Sequence, residues 1–152
     1  MASYYLDSSA LVKYYHPEEA GSEAVIRFVG EPNSRHFISR LTTVEVVSAF
    51  ALKARTREIE ADEFEPLRQR FLRDVAQRRF QNLRLTNAHY QEAVGLFRTH
   101  FKKRFRAYDS LHLSVALDLN RRGVLDHFVS ADESLCSVAI DEGLSTLNPL
   151  ES

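Results

Sequence analysis

Short apolar runs alternate with stretches whose apolar positions recur every three or four residues, from one end of the chain to the other. Tyr4-Tyr5-Leu6 reads as a strand, and Asp7, Ser8 and Ser9 supply capping residues for a helix over Ala10 to Tyr15 that Pro17 closes. A second helix is expected over Glu19 to Val29, and His36-Phe37-Ile38 reads as the next strand. Thr42-Thr43 opens a strong helix in which Val44, Val47, Phe50 and Ala51 fall at three- and four-residue spacing, with Glu45 in its first turn.

The segment from Ala61 to Arg79 is charged and helical in pattern, with Phe64, Leu67, Phe71, Leu72 and Val75 marking one buried stripe of an outer helix. Leu83-Arg84-Leu85 is a short strand candidate, followed by Thr86-Asn87 as a cap and a helix from Ala88 to about His100. Ala107 to Arg122 is helical and apolar over much of its circumference, as a helix covered on several sides is. Asp109 lies at its start. His127-Phe128-Val129 reads as a strand, Ser130-Ala131-Asp132 as its exit turn, and Glu133 to Glu142 as a helix ended by Gly143. Ser145-Thr146-Leu147 is a last strand before Pro149. This alternation argues for an α/β layer fold with a mainly parallel sheet, because parallel strands need crossover connections. The length of 152 residues suits a single domain, and no repeat or linker divides it.

Charge and cysteine content narrow the setting. Acidic and basic residues nearly cancel, with a formal charge of −1, so a polyanion has to be met by a local patch. Cys136 is the only cysteine, which leaves no internal disulfide and points to a reducing compartment. Met1 to Lys13 lacks the basic leader and small-residue cleavage site of a signal peptide. No apolar run approaches the roughly 20 residues that span a bilayer, so the expectation is a cytoplasmic protein without a membrane segment.

Four acids stand out against this frame. Asp7 and Asp132 directly follow strands, while Glu45 and Asp109 lie near helix starts. Sites in open parallel sheets form beyond the carboxyl ends of the strands. Carboxylates gathered there repel one another, and their pKa values rise unless a cation neutralises them. Oxygen-only ligands favour Mg2+ or Mn2+, which polarise phosphoryl oxygens and activate water. Hydrolysis of phosphate esters is the chemistry such a site performs. Ser8, Ser9 and Ser130 adjoin the acids and are placed to orient them.

Each acid also has a local explanation. Asp7 as an N-cap is worth about 1 kcal/mol, and a carboxylate in a first helical turn about 0.3 to 1 kcal/mol. Capping alone does not account for all four places together. His112 shares a helical face with Asp109 and reads as a packed or hydrogen-bonded histidine. Lys102-Lys103-Arg104-Phe105-Arg106 is a phosphate-binding candidate, and Arg68, Arg70, Arg73, Arg78 and Arg79 read as a solvated helix face.

The same residues carry a resemblance. Tyr5-Leu6-Asp7-Ser8-Ser9-Ala10-Leu11-Val12-Lys13, Thr43-Val44-Glu45-Val46, Tyr108-Asp109-Ser110-Leu111-His112-Leu113 and Phe128-Val129-Ser130-Ala131-Asp132 resemble the four acidic signatures of PIN-domain nucleases, in the family's order. The spacing is most similar to the VapC-type toxins of toxin-antitoxin pairs. The resemblance implies an α/β/α sandwich, endoribonuclease activity dependent on Mg2+ or Mn2+, a homodimer, and inhibition by a small antitoxin. It makes Asp7 and Asp109 the direct metal ligands, has Glu45 and Asp132 complete the pocket, and puts Ser130 where the family often has Ser or Thr. Residues 56 to 81 match no family motif. Two other classes fit the acids less well. A phosphatase or phosphotransfer domain with an Asp nucleophile expects a second acid two residues after Asp7, where Ser9 stands. A non-catalytic interaction module would use the acidic pocket to receive a partner's arginine.

Overall fold

The central strand explains the layering. β1 (Ser3–Leu6) is buried along its whole length in the computed structural model, which describes residues 2–151. It pairs in parallel with β2 (Arg35–Ser39) on one side and β4 (His127–Val129) on the other. β3 (Gln81–Leu83) and β5 (Thr146–Leu147) extend the sheet, giving the order β3-β2-β1-β4-β5 with every pairing parallel. Successive side chains in a strand point to opposite faces. Tyr4, Leu6, Ile38 and Val129 accordingly join one core cluster, while Tyr5, Phe37 and Phe128 join the other.

Each face is covered by its own helices. α1 (Ser8–Tyr15), α2 (Ser22–Gly30), α3 (Arg40–Arg55) and α4 (Phe64–Ala76) contribute Leu11, Val25, Phe50 and Phe71 to the first cluster. α5 (Asn87–His100), α6 (Ala107–Arg121) and α7 (Glu133–Asp141) contribute Leu96, Leu113 and Leu135 to the second. The chain builds outward from β1 through β2 to β3, then returns to place β4 and β5 on the other side. Crossovers between parallel strands are right-handed, so reversing the direction of growth moves the helices to the opposite face. The result is a three-layer α/β/α arrangement with its switch point between β1 and β4. Among the described residues no helix is long and apolar enough to cross a membrane.

The periodicity misplaces several boundaries, each for a local reason. α2 starts at Ser22 rather than near Glu19, because the Glu19 carboxylate is held by Lys13 Nζ at 2.9 Å and Lys53 Nζ at 2.8 Å, and Gly21 turns the chain with φ of 85°. α3 starts at Arg40, so Glu45 falls in its second turn and not its first. Its buried residues are Thr42, Val46 and Phe50, whereas Val44 is 68% exposed. Apolar residues surround so much of this helix that spacing does not select a face. β3 comprises Gln81–Leu83 and not Leu83 to Leu85; as an edge strand it is largely exposed, and the buried residue is the preceding Phe80. The segment from Ala61 splits into a 3-10 turn (Ala61–Glu63) and α4, with Phe71 buried and Phe64, Leu67, Leu72 and Val75 packed on the same cluster.

Candidate active site

The exits of β1 and β4 lie side by side and are tied together by serines. The backbone N–H of Asp7 donates to the Val129 carbonyl at 3.1 Å, continuing the sheet by one residue. Asp7 Oδ1 accepts from the Ala10 N–H at 2.9 Å, as the N-cap of α1, and from Ser9 Oγ at 2.7 Å. Ser9 Oγ in turn accepts from the Ala131 N–H at 3.1 Å. Ser130 Oγ bonds the Asp7 carboxylate and accepts from the Asp132 N–H at 3.1 Å. Asp132 caps α7, its Oδ1 accepting from the Leu135 N–H at 3.1 Å. Ser9 and Ser130 thus connect one acid's loop to the other's, while Ser8 lines the cleft in front of them.

The remaining two acids come from opposite helical layers. Asp109, in the first turn of α6, accepts from the Arg106 N–H at 2.8 Å, and the Arg106 guanidinium stands 3.9 Å away with its side chain 85% exposed. Glu45 of α3 reaches across the sheet edge to His112 of α6, bonding its Nε2. His112 Nδ1 meets the Tyr5 hydroxyl at 2.7 Å. His112 is buried, as the sequence pattern indicates, but Tyr5 was legible only as a strand residue. A tyrosine in a strand buried on both faces needs a partner for its hydroxyl, and that is the signal that identifies it.

Charge is concentrated here against the cost of burial. Burial pushes the Asp7 carboxyl above its ordinary value, opposed by His112, Ser130, Ser9 and the Ala10 N–H. Burial raises Asp109 as well; Arg106 opposes it, Asp132 adds to it, and His112 opposes it. Asp7 and Asp132 both push the nearby Cys136 thiol up, and Asp7 and Glu45 both act on Tyr5. His112 acts on Asp7 and Asp109 and bonds Glu45, and Asp132 acts on Asp109, which links the four acids electrostatically.

The PIN domain profile matches residues 4–141, from within β1 to the end of α7. The chain belongs to the PIN domain family. No curated protein matches the sequence. The fold of this PIN domain is similar to that of VapC20 from Mycobacterium tuberculosis, a sarcin-ricin loop cleaving toxin, with a TM-score of 0.67 at 13% identity over 96% of this chain and 99% of that one. It is also similar to a chain of VapBC2 from Rickettsia felis bound to a promoter DNA fragment, with a TM-score of 0.64 at 14% identity over 96% and 98% of the two chains. A toxin-antitoxin complex from Klebsiella pneumoniae gives a TM-score of 0.60 at 16% identity over 98% of each chain.

The donor set of the PIN domain fits a hard cation. Its acids offer oxygen alone, and Asp7 and Asp109 are carboxyls whose ionised forms the fold disfavours, so that a positive ion relieves them. Among the described residues no three His, Cys, Asp or Glu groups are drawn close enough to cage an ion. Mg2+ takes only one or two carboxylates directly and keeps several waters, so a pair of ligands meets its needs.

A cleft of about 1000 Å³ is lined by Ser8, Arg106 and Tyr108, by Val44 and Leu52 of α3, and by Glu45, the member of the four acids that reaches it. Lys13, Glu19, Lys53 and Glu58 also line it, joined as a chain of ion pairs. Burial opposes ionisation of Glu19, but the bonds from Lys53 and Lys13 hold it below the ordinary carboxylate range. Of the basic run before α6, Lys103 is turned onto α7, bonding Ser137 Oγ at 2.8 Å and pairing with Asp141, and Phe105 is buried. Arg106 is the member that lines the cleft. On α4, Arg68 pairs with Glu65 at 2.8 Å and Arg70 lies 5.2 Å over the Tyr15 ring.

Proposed function

We propose that this PIN domain, as one unit over residues 1–152, is a metal-dependent endoribonuclease and the toxin of a toxin-antitoxin pair, acting in the cytoplasm as a homodimer. The observation that carries the reading is that Asp7, Glu45, Asp109 and Asp132, from four separate parts of the chain, are linked through shared neighbours, His112 above all. Asp7 and Asp109 hold Mg2+ or Mn2+ directly, and such an ion, when bound, polarises a phosphoryl oxygen and lowers the pKa of water. Ser9 and Ser130 keep the Asp7 carboxylate from rotating. Glu45, held at one oxygen by His112, takes the proton of the attacking water with the other. Asp132 completes the acidic wall, and Arg106 meets the phosphates of an RNA strand at the cleft mouth.

The partner reading has its own support. Val44 and Leu52 leave an apolar strip on α3 that leads to the acids, 68% and 52% exposed. Two of the similar structures are described as complexes of a toxin with its antitoxin or carry the VapBC name. A small antitoxin laid along this strip brings a basic side chain to the acidic end. A module that only binds such a partner, without catalysis, is the second reading favoured by the same strip.

One set of measurements separates the two. Wild-type protein is expected to cleave RNA with Mg2+ or Mn2+, and Asp7→Asn and Asp109→Asn to abolish cleavage with an unchanged circular dichroism spectrum. Unchanged cleavage in both variants refutes the assignment, and absence of both calorimetric metal binding and cleavage leaves the binding module. A short reading frame for a small DNA-binding protein, immediately before or overlapping this one, is expected at the genomic locus.

A further inference from the structure

Glu45 differs from the other three acids in how it is held. Asp7, Asp109 and Asp132 each accept from a backbone N–H at a helix start. Glu45, in the second turn of α3, sits where the helix already uses its N–H groups, so no backbone donor of its own helix fixes it. Its side chain is 22% exposed and lines the cleft. A free glutamate there has three rotatable bonds and two equivalent oxygens to distribute among many orientations.

We propose that Tyr5 and His112 form a buried hydrogen-bond relay that positions Glu45, committing one of its oxygens to the protein and leaving the other to the cleft. His112 is 1% exposed and Tyr5 is fully buried. A phenol carries its proton at neutral pH. The tyrosine's own proton is therefore free to go to His112 Nδ1, 2.7 Å away. An imidazole that accepts at Nδ1 carries its proton on Nε2, the atom bonded to Glu45 Oε1.

The relay also crosses the molecule. Tyr5 belongs to the central strand, His112 to a helix on one face and Glu45 to a helix on the other. Asp109 and His112 share α6, so the bond to Glu45 sets the spacing between acids contributed by opposite layers. Tyr5 and His112 are positioning residues. They act through Glu45 and not on the substrate.

This inference rests on Glu45 belonging to the active site, and its test has one arm that needs neither metal nor RNA. In 15N-labelled protein, long-range imidazole spectra are expected to show His112 protonated at Nε2 and accepting at Nδ1, a pattern that Tyr5→Phe removes. A wild-type His112 protonated at Nδ1 alone overturns the relay. The second arm is Mn2+ binding by calorimetry. His112→Ala is expected to weaken Mn2+ about tenfold, the low end for residues that orient metal-site carboxylates. The double variant His112→Ala with Glu45→Ala is expected to bind Mn2+ no more weakly than Glu45→Ala alone, because a residue acting only through Glu45 has nothing left to do without it. Additive losses overturn the relay and make His112 an independent structural residue. If wild-type protein cleaves no RNA, the nuclease reading fails while the tautomer and the cycle still decide the relay.

Discussion

Replacing Asp7 by Asn is expected to stabilise the metal-free protein while removing its activity. The Asp7 side chain is almost wholly enclosed, and burial raises its pKa against the pull of His112, Ser130, Ser9 and Ala10. The folded protein therefore keeps the Asp7 proton to higher pH than the unfolded chain does. The stability linked to this group is fully present below the unfolded value of about 3.9 and is lost as pH rises through the folded value. Asn carries no charge and caps a helix as well as Asp, so the bonds from Ala10 and Ser9 to Oδ1 remain available. Relief of a penalty held at a functional site is commonly worth about 0.5 to 2 kcal/mol. A protein of this length gains about 2 to 4 °C in Tm per kcal/mol.

Thermal melts in EDTA across pH 4 to 8 read this directly. Asp7→Asn is expected to melt above wild type at pH 7, with the gap closing toward pH 4 as the wild-type carboxyl takes up its proton. Asp7→Ala, which loses a cap worth about 1 kcal/mol, is expected to fall near wild type. Mg2+ is expected to raise the wild-type melt alone, by about 1.4 kcal/mol at ten times its Kd. A variant that melts at or below wild type at pH 7 in EDTA, or a gap that does not change with pH, refutes burial as the dominant influence on Asp7.

Three further outcomes test other parts of the structure. Phe50, fully buried with its ring 5.9 Å from Tyr15 and 6.3 Å from Phe71, is expected to cost about 3 to 5 kcal/mol on truncation to Ala, read from the urea midpoint. Arg106→Ala is expected to leave the melt within about 0.5 kcal/mol. In an Asp7→Asn background it is also expected to flatten the logarithmic salt dependence of RNA binding by about 0.7, one phosphate contact on a single strand. The Cys136 thiol, pushed up to about 12 by burial and by Asp7, Asp132 and Glu151, is expected to resist Ellman's reagent at pH 7 until urea unfolds the protein; reaction at a free-thiol rate in buffer contradicts this.

The architecture was legible wherever local chemistry and long-range packing agree. Tyr4-Tyr5-Leu6 and Phe128-Val129 are apolar, short and followed by caps, and they are the central strands. The acids are legible because Asp7 directly follows a strand, Asp132 follows one after a two-residue turn, and each caps the helix that comes next. Glu45 was placed one turn too early, because α3 begins at Arg40, with the Ser39 N–H donating to Thr42 Oγ1 at 3.0 Å, a side-chain cap that hydrophobic spacing does not register. β3 was shifted by two residues because an edge strand has too little buried surface to mark itself. The Tyr5–His112–Glu45 chain joins residues 107 and 67 positions apart, and no local pattern encodes that meeting.

Under the proposed function, capping and metal binding are two uses of the same carboxylates. A helix-start N–H engages one oxygen of Asp7, Asp109 and Asp132, which fixes the plane of each carboxylate before any ion arrives. The helices begin where they do because the acids cap them, and the acids point where they do because the helices begin there. The switch point between β1 and β4 brings two of these caps side by side, and the serine bonds prevent them from relaxing apart. Relaxation is the outcome expected of crowded carboxylates without a counter-ion, since it lowers both repulsion and desolvation. A fold that instead directs hydrogen bonds at Asp7 from Ser9, Ser130 and Ala10 holds the carboxylate in place, which is the arrangement the proposed cation requires. The one acid without such a cap, Glu45, is the one given a histidine.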